Sequence, residues 1–166
     1  MYRVIEDFKN DWAHERETTV KIFGRLTDES LSQRVSPEGR TLGFLAWHIV
    51  VSLGMAAEAG LPLEVPGDYA SQPPIGATAI KDAYEKCSAV LIASVEKNWK
   101  DASLLEEVQM YGMTWTRGYA LLAMVKHQAH HRGQMTVLMR QAGLVFPGAY
   151  GPAREEWAAA GMEALP

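Results

Sequence analysis

The most constraining feature of this 166-residue sequence is a helical repeat of apolar residues near its middle. The third of four helical segments runs from Ala77 or Thr78 to about Trp99, and its apolar residues recur at steps of three and four: Ile80, Tyr84, Cys87, Val90, Leu91 and Val95. Such spacing places them on one face of an α-helix. The other three segments are about Val4–Leu26, Thr41–Gly60, and Thr114 or Thr116 to Ala142. The sequence therefore predicts four long amphipathic helices.

The stretches between these segments resemble turns and loops. Residues 61–76 hold four prolines and predict a loop, residues 100–113 are ambiguous between a short helix and an extended connection, and residues 153–162 predict a short terminal helix. No stretch shows the period-two alternation of a half-buried strand. Thr41 is a plausible N-cap, and Gly60 and Gly143 are plausible helix stops. We expect an all-α four-helix bundle in which residues 1–166 form a single domain.

Charge and composition exclude several classes of protein. The formal charge is -4, whereas nucleic-acid binders usually carry a basic excess, so we expect no nucleic-acid partner. The first 15 residues lack the apolar core of a secretory signal. The apolar run from 42 to 57 is shorter than the ~20 residues of a membrane span. Cys87 is the single cysteine, which excludes an internal disulfide and suits the reducing cytoplasm.

Three of the five histidines fall within the stretch "HQAHHRGQ", residues 127–134. On a helix, His127 can pair with His131 at i+4 or with His130 at i+3. The row through His127 and His131 is apolar: Ala120, Met124, Met135 and Leu138. The row through His130 carries Lys126 and Arg140, which belong at a surface. We therefore predict that His127 and His131 point inward and that His130 lies at the flank.

His48 is the natural third member of a metal site, because its helical neighbours are apolar as well. A lone core histidine with a hydrogen-bond partner is the alternative interpretation. Three inward imidazoles are hard to satisfy by hydrogen bonds alone, whereas a shared cation satisfies all of them. Imidazole suits zinc, nickel, copper or iron, and three protein ligands leave positions open for water or substrate. His14 is a weaker candidate in an exposed setting, and the paired Glu-x-x-His motifs of a di-iron site are absent.

The residues interleaved with the histidines refine this prediction. Gln128 stands where the metalloprotease motif HExxH has its general-base glutamate, which argues against peptide hydrolysis by that mechanism. Arg132 and Gln134 are candidates for orienting an anionic substrate or a ligand histidine, or are simply an ion-pairing arginine and a surface amide. Gly133 costs about 1 kcal/mol in a helix relative to alanine. Close helix packing, or room beside the metal, would explain it.

Together these segments resemble the DinB/YfiT-like superfamily. The specific part is "HQAHHRGQ", supported by "RTLGFLAWHIV" before it and "FPGAYGP" after it. The resemblance implies a four-helix bundle of up-down-down-up type and a divalent metal held by His48, His127 and His131. Family members with known activity are metal-dependent thiol S-transferases or thiol-dependent isomerases that use bacillithiol, mycothiol or glutathione; many others have no established activity. The resemblance implies no DNA binding.

Three functions are compatible with these features. The leading hypothesis is a thiol S-transferase in which the metal activates a low-molecular-weight thiol that attacks an electrophilic small molecule. The alternatives are metal-dependent hydrolysis of a small ester, amide or lactone, and a non-enzymatic metal or small-ligand binding protein. The expected ion is zinc or nickel, with iron or manganese next. No catalytic side chain is assigned. We expect a homodimer without a membrane partner.

Overall fold

The computed structural model describes residues 1–163 and is mostly helical. Five α-helices and two β-strands follow one another along the chain: α1 (Ile5–Phe23), α2 (Leu42–Val51), α3 (Gly54–Glu58), α4 (Ala77–Asn98), β1 (Glu107–Met110), β2 (Met113–Thr116) and α5 (Arg117–Gln141). Single turns of 3-10 helix occur at Glu29–Ser32, Asp101–Leu105, Arg154–Glu156 and Ala158–Ala160. The last two turns lie where the sequence predicted a short terminal helix.

The longer helices pack around one apolar core. Helices α1 and α2 each contact both α4 and α5, and α3 also contacts α5. The apolar row predicted between Ile80 and Val95 faces this core, except that Val90 is exposed. Almost every side chain of α2 is buried, which explains why its sequence is so uniformly apolar. Among residues 1–163, no helix combines the length and apolarity that a bilayer crossing requires.

The all-α prediction is wrong between residues 107 and 116. Strands β1 and β2 pair antiparallel, with Glu107 opposite Thr116 and Met110 opposite Met113. Tyr111 and Gly112 form the turn with φ values of 51° and 73°, the left-handed conformation that two-residue hairpin turns require at both positions. Because most side chains of the hairpin are exposed, its sequence lacks the alternation that marks a half-buried strand.

The prediction of one continuous helix over Thr41–Gly60 is also wrong, because the structure has two helices there. Helix α2 ends at Val51 and α3 begins at Gly54. At the break the Ser52 hydroxyl donates to the Ile49 carbonyl over 2.8 Å, and the Leu53 N–H bonds three residues back to Val50. A hydroxyl that bonds locally to the backbone competes with the regular helical ladder. The break is therefore local and leaves α2 ten residues long.

The predicted helix ends are confirmed where local chemistry determines them. The Thr41 side chain accepts from the Phe44 N–H at the start of α2, and Thr116 accepts from the Tyr119 N–H at the start of α5. Gly143 follows α5 with a φ of 75°, the left-handed conformation typical of a glycine that ends a helix. These residues fix where α2 begins and where α5 begins and ends, and these are the two helices that carry the candidate ligands.

Gly133 has no packing role. It is exposed within α5, and a Cβ added there meets nothing within 4 Å, so close helix packing does not explain it. We expect Gly133→Ala to raise the free energy of unfolding by about 0.5–1 kcal/mol, because alanine is the better helix former. Urea denaturation of the metal-free protein measures this. Gly118→Ala is the contrasting variant, because its Cβ would collide with the Tyr2 carbonyl, and a stabilised G118A would contradict the packing described.

Candidate metal centre

The three histidines singled out in the sequence come together between α2 and α5. His48 lies on α2, and His127 and His131 lie one turn apart on α5, the helix against which α2 packs. The Nε2 atom of His127 lies 2.9 Å from that of His48 and 3.1 Å from that of His131. Ligand atoms of all three residues lie within 4.8 Å of one another, so the group could hold a metal ion.

The helical faces of α5 agree with the predicted orientation. Ala120, Met124, His131, Met135 and Leu138 are buried and His127 is half-buried, whereas the row through His130 is exposed: Tyr119, Lys126, His130, Gly133, Val137 and Arg140. His130 is therefore outside the three-histidine cluster. His14 is exposed on α1 and contacts Tyr150 instead.

The hydrogen-bonding pattern of the cluster fits a cation better than it fits three imidazoles alone. Oε1 of Gln134 can only accept, so Nδ1–H of His131 donates to it over 2.7 Å, which leaves a lone pair on Nε2 of neutral His131. Nε2 of His127 lies between that lone pair and His48. One ring nitrogen cannot satisfy both neighbours. A cation would receive all three Nε2 lone pairs at once.

The same environment keeps the imidazoles in the form that binds metal. Burial, with smaller contributions from His131, His127 and Arg40, lowers the pKa of His48 to about 4. Burial, with smaller contributions from His131, His130 and Arg40, lowers the pKa of His127 to about 4 as well. The pKa of His131 is lowered chiefly by burial, although its bond to Gln134 opposes the shift. All three side chains are neutral near pH 7, as metal ligation by imidazole requires.

Aromatic side chains flank the cluster. The Phe44 ring stacks on His48 with centroids 5.9 Å apart, and Tyr69 lies against the same imidazole at 5.4 Å. Tyr69 belongs to the proline-rich loop of residues 61–76, so this loop reaches the cluster, which the sequence did not reveal. The Tyr69 hydroxyl also lies 3.5 Å from that of Tyr111 in the hairpin turn. The loop and the hairpin thus meet beside His48.

Arg132 is an ion-pairing arginine rather than a residue that faces the cluster. It is 1% exposed, and its guanidinium pairs with the Glu15 carboxylate, contacts the Tyr150 hydroxyl and donates to Thr19 over 2.8 Å. The Tyr150 hydroxyl also donates to Glu15 at 2.8–2.9 Å. Glu15 was missed in the sequence, although it shares the inward row of α1 with Phe8, Trp12, Thr19 and Ile22.

Gln134 is the flanking polar residue that contacts a candidate ligand, through the bond to His131 described above. Hydrogen-bonded partners of this kind fix the ring orientation of a ligand histidine. Gln128 is fully buried on the part of α5 that faces α4, where its Oε1 accepts from the Tyr84 hydroxyl over 3.1 Å. It is therefore not available as a base at the cluster. Cys87 is buried, as predicted, and burial raises the pKa of its thiol.

The sequence and the fold are both similar to known proteins. The model of the DinB family matches residues 1–164. Uncharacterized protein YrdA of Bacillus subtilis (strain 168) is 41% identical over 166 residues, which cover 99% of this chain and 98% of that one. A DinB-like protein from Bacillus cereus ATCC 10987, solved by crystallography, is 40% identical, with a TM-score of 0.86 over 90% of this chain and 100% of the other.

A second solved structure, a DinB-like protein (YjoA) from Bacillus subtilis, has a TM-score of 0.68 at 16% identity, over 86% of this chain and 96% of that one. At this identity the likeness concerns the fold alone. The family match spans nearly the whole chain, and the B. subtilis and B. cereus relatives above share about two fifths of its residues. On both grounds, the chain belongs to the DinB family.

Proposed function

We propose that this chain is a divalent-metal-dependent thiol S-transferase whose metal ligands are His48, His127 and His131. The observation that carries the proposal is the convergence of three Nε2 atoms whose lone pairs no donor among residues 1–163 satisfies together. Zinc or nickel suits this all-imidazole set, and three protein ligands leave a position for a further ligand.

The composition of the cluster favours a thiol over water as the nucleophile. Among the described residues, the group of potential ligands holds histidines alone and no carboxylate. Attack by water gains from a positioned general base, and the buried Gln128 cannot act as one. A metal ion, when bound, lowers the pKa of a coordinated thiol, so that the reactive thiolate forms without a side-chain base.

In the proposed reaction a bond forms between the thiol sulfur and an electrophilic carbon. The leaving group departs with the electron pair of the bond that breaks, and the thiol proton passes to solvent. The protein's own residues hold the geometry: Gln134 fixes the ring of His131, while Phe44 and Tyr69 cover two sides of the His48 imidazole. No side-chain nucleophile is needed, which agrees with a Cys87 thiol buried within α4.

Conjugation of a halobimane tests this function. We expect the metal-loaded protein to accelerate its reaction with bacillithiol, mycothiol or glutathione, and we expect chelation to abolish the acceleration, because the unaided thiol is mostly protonated near pH 7. Fluorescence of the bimane adduct follows the rate. Esters and lactones without thiol serve as the comparison. Hydrolysis of an ester or lactone without thiol would show that the protein is a hydrolase and not a transferase. Bound metal without turnover of thiols, esters or lactones would indicate a binding protein.

A further inference from the structure

Arg40 is an exposed cation beside the candidate metal centre. It immediately precedes Thr41, the N-cap of α2, and its side chain is exposed. The guanidinium lies over the Phe44 ring, 5.0 Å from its centroid, and that ring stacks on His48. Among residues 1–163 it has no carboxylate within ion-pairing distance and makes no hydrogen bond. Its donors therefore remain available to a ligand.

A groove of about 330 Å³ is lined by both Arg40 and Gln134, the residue that contacts His131. Its walls are apolar apart from Arg40 and Gln134, and its other principal side chains are Val35, Leu45, Val137 and Leu138. Gln134 uses its amide oxygen to hold His131, so its NH₂ group is free to donate. The groove thus offers a guanidinium group and an amide donor within an apolar wall, which is a suitable setting for a carboxylate.

A second groove on the far side of Arg40 suits an anion less well. It measures about 320 Å³ and is bounded by Phe44, Gln72 and Pro73, but Glu38 also lines it. A carboxylate there would face another negative charge. Among the described residues that line the first groove, Arg40 alone is charged, so the charge distribution favours that groove.

From these contacts we infer that Arg40, assisted by Gln134, binds a carboxylate of a small molecule that reacts at the three-histidine centre. The inference rests on the proposed function and narrows its substrates. The carboxylate belongs either to the thiol, as in glutathione, or to the electrophile. In both cases the anionic end would lie in the groove lined by Val35, Leu45 and Leu138, and the reacting atom would point toward the three histidines.

Direct binding separates this inference from turnover. Calorimetric titration of metal-loaded protein with S-methylglutathione, whose sulfur is blocked, and with succinate reports carboxylate affinity alone. We expect Arg40→Gln to weaken binding of at least one of them by about tenfold, equivalent to about 1.4 kcal/mol, and Arg40→Lys to weaken it less. Arg3→Gln is the charge-matched control, because Arg3 is exposed and lines neither groove. Thermal melting checks that each variant remains folded.

Two kinetic arms identify which substrate carries the carboxylate. The first compares glutathione with its diethyl ester against a neutral bimane, and the second compares iodoacetate with iodoacetamide against 2-mercaptoethanol. We expect R40Q to raise KM about tenfold for the carboxylate member of one pair, with kcat and the uncharged member unchanged.

The possible outcomes distinguish the two proposals. Carboxylate binding that is lost in R40Q without any thiol turnover would support the anion site and refute the transferase. If the protein turns over thiol and R40Q has the same affinities and KM values as the wild type, the role of Arg40 is refuted and the transferase proposal stands. The inference would also be overturned if the wild type bound neither S-methylglutathione nor succinate. The same holds if it did not prefer the carboxylate substrate over its uncharged counterpart in either kinetic arm.

Discussion

His131→Ala is expected to remove most of the divalent metal that the purified protein holds, about one ion per chain. The variant deletes one of three converging Nε2 atoms, and loss even of a residue that only supports a ligand commonly costs 10- to 100-fold in metal affinity. The affinity should therefore fall by more than about 100-fold. Elemental analysis after gel filtration measures the metal content, and His48→Ala and His127→Ala should behave alike.

His130→Ala is the matched control for this experiment. It removes the neighbouring imidazole from the same helix, but that imidazole lies in the exposed row, so the metal content should stay that of the wild type. Metal lost from H130A and retained in H131A would overturn the assignment of ligands. Equal retention in all four variants would refute the site itself.

Glu15→Ala is expected to lower the free energy of unfolding by about 3–5 kcal/mol, because it leaves the buried guanidinium of Arg132 without its counter-charge. Both side chains are almost fully buried, with exposures of 1% for Arg132 and 8% for Glu15. Nε of Arg132 already lacks a partner among the described residues. Urea denaturation of the metal-free protein, followed by circular dichroism, measures the loss.

Glu17→Ala supplies the control on the same helix. Glu17 pairs with Lys21 at the surface of α1, where solvent screens the charges, so we expect little change. Comparable losses in E15A and E17A would show that the buried pair does not stabilise the fold in the way its geometry indicates. Glu15→Gln should fall between the wild type and E15A, because the amide can still accept from Arg132.

The parts of the fold that sequence analysis predicted are those that local interactions determine. Thr41, Thr116 and Gly143 mark helix ends through their own side chain or backbone, so the segments that carry His48 and His127 could be delimited in advance. The break near Ser52 depends on one hydroxyl and no proline, and the strands of the hairpin are too exposed for their pattern to show. Tyr111–Gly112 was the available signal for the turn.

The same distinction applies to the candidate site. The inward direction of His127 and His131 followed from the row they share on α5, because helical spacing is a local property. The approach of Tyr69 to His48 could not be predicted, since it depends on the path of a proline-rich loop. The partner of Arg132 lies 117 residues away in the sequence. A glutamate at position 15, within the inward row of α1, indicates a buried ion pair but does not identify its partner.

His48 and His127 are 79 residues apart in the chain yet 2.9 Å apart at their Nε2 atoms. The complete three-point site therefore exists only after α2 has packed on α5, and an unfolded chain offers at most the local pair on α5. An ion that binds the complete site raises the free energy of unfolding. The increase is about 4 kcal/mol when the free ion is present at 1,000 times its dissociation constant. The lifetime of this protein in a cell would then follow the supply of metal, even when no substrate is present.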